Sequence, residues 1–356
     1  MANNGSRRQY APKVVWYIFQ LALGAGLIYY LFHDKMSDII HNLDHFRFIW
    51  LVPAVCLYYL LLFVGAWRWY LLARVLNFRL TLWDAVSLTM KAFFCSLVIP
   101  GGAIGGDLVK IGFLAGHAAK GTKVEGAFTV LMDRIVGMIA LFVLAIILTL
   151  VSIPLLMSIN APELYAMCGL SHDPQLIYRG KCLLIVGILA LCLAGLAACF
   201  VMFMHRQLEK IPLIRWGINL ANRISHGSFA RTTAAIDIYR HNPRLVFNTV
   251  IISVFLVHLN LVAVVFCLAM GLGVKIVKPL ALVTGVILGN IAGLIPFTPS
   301  GVGFRDYTII KFVEACGATG TQAGATALFF TSLIIFANIS CGIFFLLGRR
   351  SSRRGE

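Results

Sequence analysis

Apolar residues in this chain fall into runs long enough to cross a bilayer, separated by short stretches rich in Lys, Arg and His. A spanning helix needs about 20 apolar residues, and such runs lie at about 14–32, 48–66, 124–154, 182–204, 245–270 and 323–347. Two further segments, 81–116 and 279–320, share this apolar character but are broken in the middle by Pro and Gly. The breaks read Val98-Ile99-Pro100-Gly101-Gly102-Ala103-Ile104-Gly105-Gly106-Asp107-Leu108-Val109-Lys110 and Leu294-Ile295-Pro296-Phe297-Thr298-Pro299-Ser300-Gly301-Val302-Gly303-Phe304-Arg305-Asp306. The pattern predicts an all-α polytopic membrane protein of about 6 full transmembrane helices plus two Pro/Gly-broken re-entrant helical hairpins.

A backbone that leaves the helix inside hydrocarbon loses its hydrogen-bond partners, and a charge there costs several kcal/mol. Such segments persist where protein or water surrounds them. Paired interrupted helices in the two halves of a chain are the best pointer in a sequence to a transporter's substrate site.

Composition agrees with the membrane assignment: 60% of residues are hydrophobic and only 12% charged, about half the ~25% of soluble domains. The formal charge of +16 is not the footprint of nucleic-acid binding. Its Lys and Arg cluster beside the apolar runs, where the positive-inside rule and anionic lipid account for them. They place residues 1–13 and 349–356 in the cytoplasm as basic tails, flanking one membrane domain over 14–348. Arg7, Arg8 and Lys13 precede the first run, which has no small-residue cleavage site after Phe32, so it reads as an uncleaved helix. Trp67-Arg68-Trp69-Tyr70 reads as the interfacial end of the second helix. The basic loop 205–244, with Leu208, Ile211, Ile214 and Ile218 at helical spacing, reads as an amphipathic cytoplasmic segment on anionic lipid. With these sides assigned, the two broken segments insert from opposite faces, as an inverted repeat requires.

Ten ionisable residues lie within or beside the membrane segments. Lys91, Lys110, Arg134, Arg305 and Lys311 balance Asp107, Glu125, Asp133, Asp306 and Glu314, as groups paired in a low-dielectric interior should. Asp107 and Lys110 are three residues apart and share a face if a helix opens at Gly105-Gly106. The free N–H groups of such a helix start would suit an anion. Asp133 and Arg134 read either as site groups or as a pair locking the long helix to a neighbour. His258 and Asn260 read as interhelical hydrogen-bonding groups. The nine cysteines show no Cys-x-x-Cys or Cys/His metal spacing, so neither a metal nor another cofactor is expected.

The motifs Ile99-Pro100-Gly101-Gly102 through Gly105-Gly106-Asp107, Asp133-Arg134-x-x-Gly137 and Ile295-Pro296-x-Thr298-Pro299-Ser300-Gly301-Val302-Gly303-x-Arg305-Asp306 give the chain a family resemblance. It resembles the flippase-like membrane domain of lysyl-phosphatidylglycerol synthases, as a stand-alone relative, over about residues 10–348. Lys110 stands where that family often has Arg, Ser300 where it has Gly, and Asp306 where it has Glu. The full synthases carry a soluble aminoacyl-transferase domain after the membrane part, and this sequence stops eight residues after Gly348. Synthase activity is therefore not expected. What the resemblance implies is movement of a lipid between leaflets, the broken segments forming a central polar cavity in a bacterial inner membrane.

The leading expectation is a lipid translocase without catalytic chemistry of its own. Its substrate would be an anionic, aminoacylated or polyprenyl-linked lipid. Gly102, Gly106, Asp107, Lys110, Asp133, Arg134, Pro299, Gly301, Gly303, Arg305 and Asp306 are its candidate binding residues. Lys110, Arg134 and Arg305 would hold phosphate, and Asp107, Asp133 or Asp306 is the candidate carrier of a coupled proton. No Gly-x-x-x-x-Gly-Lys-Ser/Thr motif occurs, so ATP is not expected to drive transport directly. The alternatives are an intramembrane lipid phosphatase or polyprenyl-phosphate sugar transferase, and an accessory subunit of an envelope-lipid pathway. Pro299-Ser300-Gly301 is similar to a lipid-phosphatase motif, but Val302 stands where that motif has His. Oligomeric state stays open, a homo-oligomer included.

Overall fold

A computed structural model describes residues 46–76, 80–98, 103–117, 123–159, 174–204, 236–294 and 303–347, all helical or in turns between helices. The first predicted span (14–32), both tails, most of the basic loop 205–244 and the two break centres lie outside the described residues. The first half gives α1 (Leu51–Val75), α2 (Leu82–Val98), α3 (Ala103–His117), α4 (Lys123–Val151) and the short α5 (Ile153–Ser158). The second gives α6 (Pro174–Phe203) and α7 (Pro243–Ile252), which runs through a π-helical turn (Ser253–His258) into α8 (Leu259–Gly271). There follow α9 (Pro279–Ala292), α10 (Phe304–Ala315), α11 (Gly320–Ser340) and α12 (Ile343–Leu347).

Five helices among the described residues are long and apolar enough to cross a membrane: Phe48–Val75, Gly126–Val151, Pro174–Phe203, Pro243–Gly271 and Gly320–Leu346. Their starts are written in local chemistry. Pro243 and Pro279 open their helices at the first turn, where a missing N–H costs nothing. At α11, Thr319 Oγ1 accepts from the Gln322 N–H at 3.2 Å and the Gln322 side chain accepts from the Thr319 N–H at 3.1 Å. This reciprocal cap starts the helix at Gly320, three residues before the apolar run predicts. The larger difference is α1, which continues through the expected interface at Trp67 to Val75. Trp69 is fully enclosed and Arg68 is buried.

The broken segments form two helix pairs, α2–α3 and α9–α10, whose members pack along each other. Small residues let them approach. A Cβ on Gly106 would lie 2.5 Å from the Ala92 carbonyl oxygen, and one on Gly285 would lie 2.2 Å from the Phe312 Cβ. At 1.5 Å per residue, these four helices of 12 to 17 residues reach about 18–25 Å, short of the ~30 Å hydrocarbon core.

The two hairpins open on opposite sides of the bundle. Arg47, just before α1, donates its N–H to Gly271 O at the end of α8 at 2.9 Å. Hairpin α9–α10 opens on that side, its base closed by Val277 N–H to Cys316 O at 2.9 Å. Hairpin α2–α3 instead follows the far end of α1 and leads into the start of α4. Each half thus presents a long helix, a hairpin and a long helix in order, with opposite sense, as an inverted-topology repeat does. Between the halves, α1 packs on α8, α4 on α9 and α2 on α11. The outer helix α6 buries only Ile185 and Cys192 and presents Leu183, Leu184, Val186, Leu191 and Leu193 outward, a face suited to lipid.

Candidate functional site

Charged side chains buried in an apolar bundle need partners, and among the described residues Arg68, Lys110, Asp133, Arg305 and Asp306 gather in two clusters. The first joins α1, α3, α4 and the π-helical turn. Arg68 Nε donates to Asp133 Oδ1 at 2.8 Å, its Nη2 to the Asp133 carbonyl oxygen at 3.1 Å, and its Nη1 to Ser253 Oγ at 2.7 Å. Ser253 in turn donates to Thr249 O at 2.7 Å. Gly137 leaves room for this guanidinium: a Cβ there would sit 3.3 Å from Arg68 Nη1. The freed surface of α4 also brings Gly137 O within 3.1 Å of His258 Nε2.

One residue further along α4, Arg134 points another way. Its Nε and Nη2 bind Asp107 Oδ2 and Oδ1 at 2.7 and 2.8 Å, a two-pronged pair linking α4 to α3. The two ion pairs differ in access. The Arg68 and Asp133 side chains are 9% and 12% exposed, whereas Arg134 and Asp107 are 46% and 19% exposed.

Lys110, one turn beyond Asp107 on α3, is buried. Its ammonium lies 3.7 Å from the centroid of the Trp69 ring, a cation–π contact, and Trp69 is held by a 3.1 Å hydrogen bond from its Nε1 to Thr129 Oγ1. Asp133, Arg134, Asp107 and Arg68 all act on Lys110 electrostatically. Among the described residues no acceptor bonds the ammonium. Among the described residues the cluster therefore holds three cations (Arg68, Lys110, Arg134) against two carboxylates (Asp107, Asp133), with Lys110 the charge left over.

The second cluster ties the start of α10 to α11. Gly303, at φ +98°, donates its N–H to Asp306 Oδ2 at 3.1 Å. Arg305 Nε and Nη2 donate to Asp306 Oδ1 at 3.1 and 3.0 Å. Arg305 Nη2 also reaches Thr331 Oγ1 at 2.6 Å, which itself donates to Asp306 Oδ1 at 2.9 Å. The guanidinium sits 5.0 Å from the Phe330 ring centroid. Arg305 and Asp306 are 6% and 2% exposed, and among the described residues their charges balance.

The predicted residues are thus divided. Gly106, Asp107, Lys110, Asp133 and Arg134 come together around α3 and α4, and Gly303, Arg305 and Asp306 around α10. Gly102, Pro299 and Gly301 lie outside the described residues. The expected helix start at Gly105-Gly106 falls at Ala103 instead, and Gly106 serves the packing of α3 on α2. His258 and Asn260 make the interhelical contacts expected of them, Asn260 Nδ2 donating to Leu57 O at 2.8 Å. Lys311 pairs with Glu314 at 3.4 Å, and Lys91 lies over the Phe113 and Phe345 rings.

Sequence reasoning missed Arg68, Trp69, Ser253 and Thr331. Arg68 gave one signal: with ten other ionisable residues taken as balanced, a buried carboxylate on α4 could have claimed it instead of Arg134. Its aromatic neighbours made an interface the more economical reading.

No curated protein and no solved structure matches the chain. The family model described as the lysylphosphatidylglycerol synthase TM region does, over residues 17–341, and those residues include both hairpins and both buried clusters. The chain belongs to that family, as a multi-pass membrane protein linked to lipid metabolism.

Proposed function

We propose that this protein is a lipid translocase that moves a phosphate-bearing lipid between leaflets without altering it chemically. The observation that carries the reading is Lys110, a buried cation in surplus beside a displaceable ion pair. A lipid phosphate entering from the Arg134 side takes the place of the Asp107 carboxylate on the guanidinium, whose fork fits either anion. The same phosphate neutralises Lys110. The more buried Arg68–Asp133–Ser253 unit stays assembled and holds α1, α4 and the π-helical turn in register around it.

The hairpins, too short to span, act as re-entrant pairs entering from opposite faces, with the tails of the cargo left in the bilayer. By the charge of its loops the chain has both termini in the cytoplasm, and its family suits a bacterial inner membrane. Its basic segment 205–244 rests on anionic lipid.

The test follows a labelled anionic phospholipid across the leaflets of proteoliposomes, with recovery of the lipid for chemical analysis. Translocation falls sharply with Lys110→Met and the recovered lipid is unchanged. Equal rates for wild type and Lys110→Met, or a modified lipid, would overturn the proposal.

A further inference from the structure

Outside both clusters, a groove of about 660 Å³ lies on the flank of the bundle between α4, α6 and α7, within the ~300–1,000 Å³ range of ligand sites. Its walls include Ile139 on α4, Leu196 and Phe200 on α6, and Val246 on α7. Its floor is Tyr239, fully enclosed and fixed by a 2.9 Å hydrogen bond from its hydroxyl to Leu72 O. Among the described residues the one charged group on its wall is Arg240, which is exposed and has no hydrogen-bond or ion-pair partner among them. Arg244, also exposed, follows on the first turn of α7.

The groove has a direction. Arg240 precedes the start of α7 at Pro243, and α6 ends nearby at Phe203, so its charged end is where the spans end. From there it runs along α7 to Val250, seven residues or about 10 Å of rise. That is less than one leaflet of a ~30 Å core. An occupant must therefore be an apolar chain with an anion at its surface end. A membrane offers that combination in one molecule.

We infer that this groove is a binding site for an anionic phospholipid, with one acyl chain between α4, α6 and α7 and its phosphate on Arg240. The site does not depend on translocation: it faces outward from the bundle, and Lys110 takes no part in it. Arg244, four residues on, adds a second exposed positive charge at that end.

A phosphatidylglycerol carrying a photoreactive group midway along one acyl chain tests the site on the full chain in nanodiscs. Peptides spanning Leu196–Phe203 and Pro243–Val250 become labelled. Unlabelled phosphatidylglycerol competes and phosphatidylcholine does not. Arg240→Gln removes a charge-assisted bond and Val246→Trp fills the groove; each lowers labelling about tenfold, while Lys110→Met leaves it unchanged. Near-wild-type circular dichroism and size-exclusion profiles show that both groove variants are folded. Competition by phosphatidylcholine equal to that of phosphatidylglycerol overturns the inference, as does loss of labelling in only one groove variant or in neither.

Discussion

The two hairpins use the same elements to different ends. Among the described residues, the charges of hairpin α9–α10 pair with each other: Arg305, Asp306, Thr331 and the Gly303 N–H bond one another within a few ångströms. Hairpin α2–α3 brings Asp107 and Lys110 to a neighbouring helix and leaves one positive charge over. A buried neutral network holds elements together. A buried surplus charge waits for a ligand or is a net cost. On the proposed reading the contrast separates a fastening from a working site, although both breaks look alike in the sequence.

The contrast can be broken at its strongest point first. Arg68→Ala leaves Asp133 buried and unpaired, and thermal unfolding in detergent should show a loss of about 3–5 kcal/mol. Arg68→Leu combined with Asp133→Leu should be markedly less harmful than either alone. In the second hairpin, Asp306→Ala removes the carboxylate that Arg305 and Thr331 share, with an expected stability loss of about 3 kcal/mol. Lys110→Met reverses that pattern. Transport should fall about 10- to 100-fold, from losing a charged contact of about 1.5–3 kcal/mol, while the unfolding temperature holds or rises. If Asp306→Ala were harmless to folding and Lys110→Met unfolded the protein, the assignment of the two hairpins would be the wrong way round. Gly106→Ala places a methyl group against the Ala92 carbonyl and should cost about 1–3 kcal/mol in the same unfolding assay. The smallest effect is expected from Arg134→Lys, which keeps the charge but loses the two-pronged grip. Transport should drop by about tenfold, near 1.4 kcal/mol, with stability little changed.

Among the described residues, most helix positions and the two pairs of short helices were legible because they rest on local signals: run length, Pro and Gly, and caps. Partnerships were less so. Asp133 and Arg134 are adjacent, yet a helix turns about 100° per residue. One therefore faces α1 and the other α3, and nothing in their neighbourhood says which is which. Arg68 was hidden for a related reason. Trp-Arg-Trp-Tyr has the composition of a membrane interface, and only a carboxylate 65 positions away lets the arginine stay inside. Thr331 sits in an apolar helix between Phe330 and Ser332, and its role exists only once α10 is docked beside it.

The π-helical turn at Ser253–His258 sets the angular phase of its whole span. It fits one more residue into a turn than an α-helix does, so deleting a single residue there would let regular winding resume. In a regular α-helix residues five apart lie about 140° from each other, so the wider turn is what lets Ser253 reach Arg68 while His258 reaches Gly137. A one-residue deletion there should therefore be better tolerated than one elsewhere in the same span, where the two flanks would turn by about 100° relative to each other.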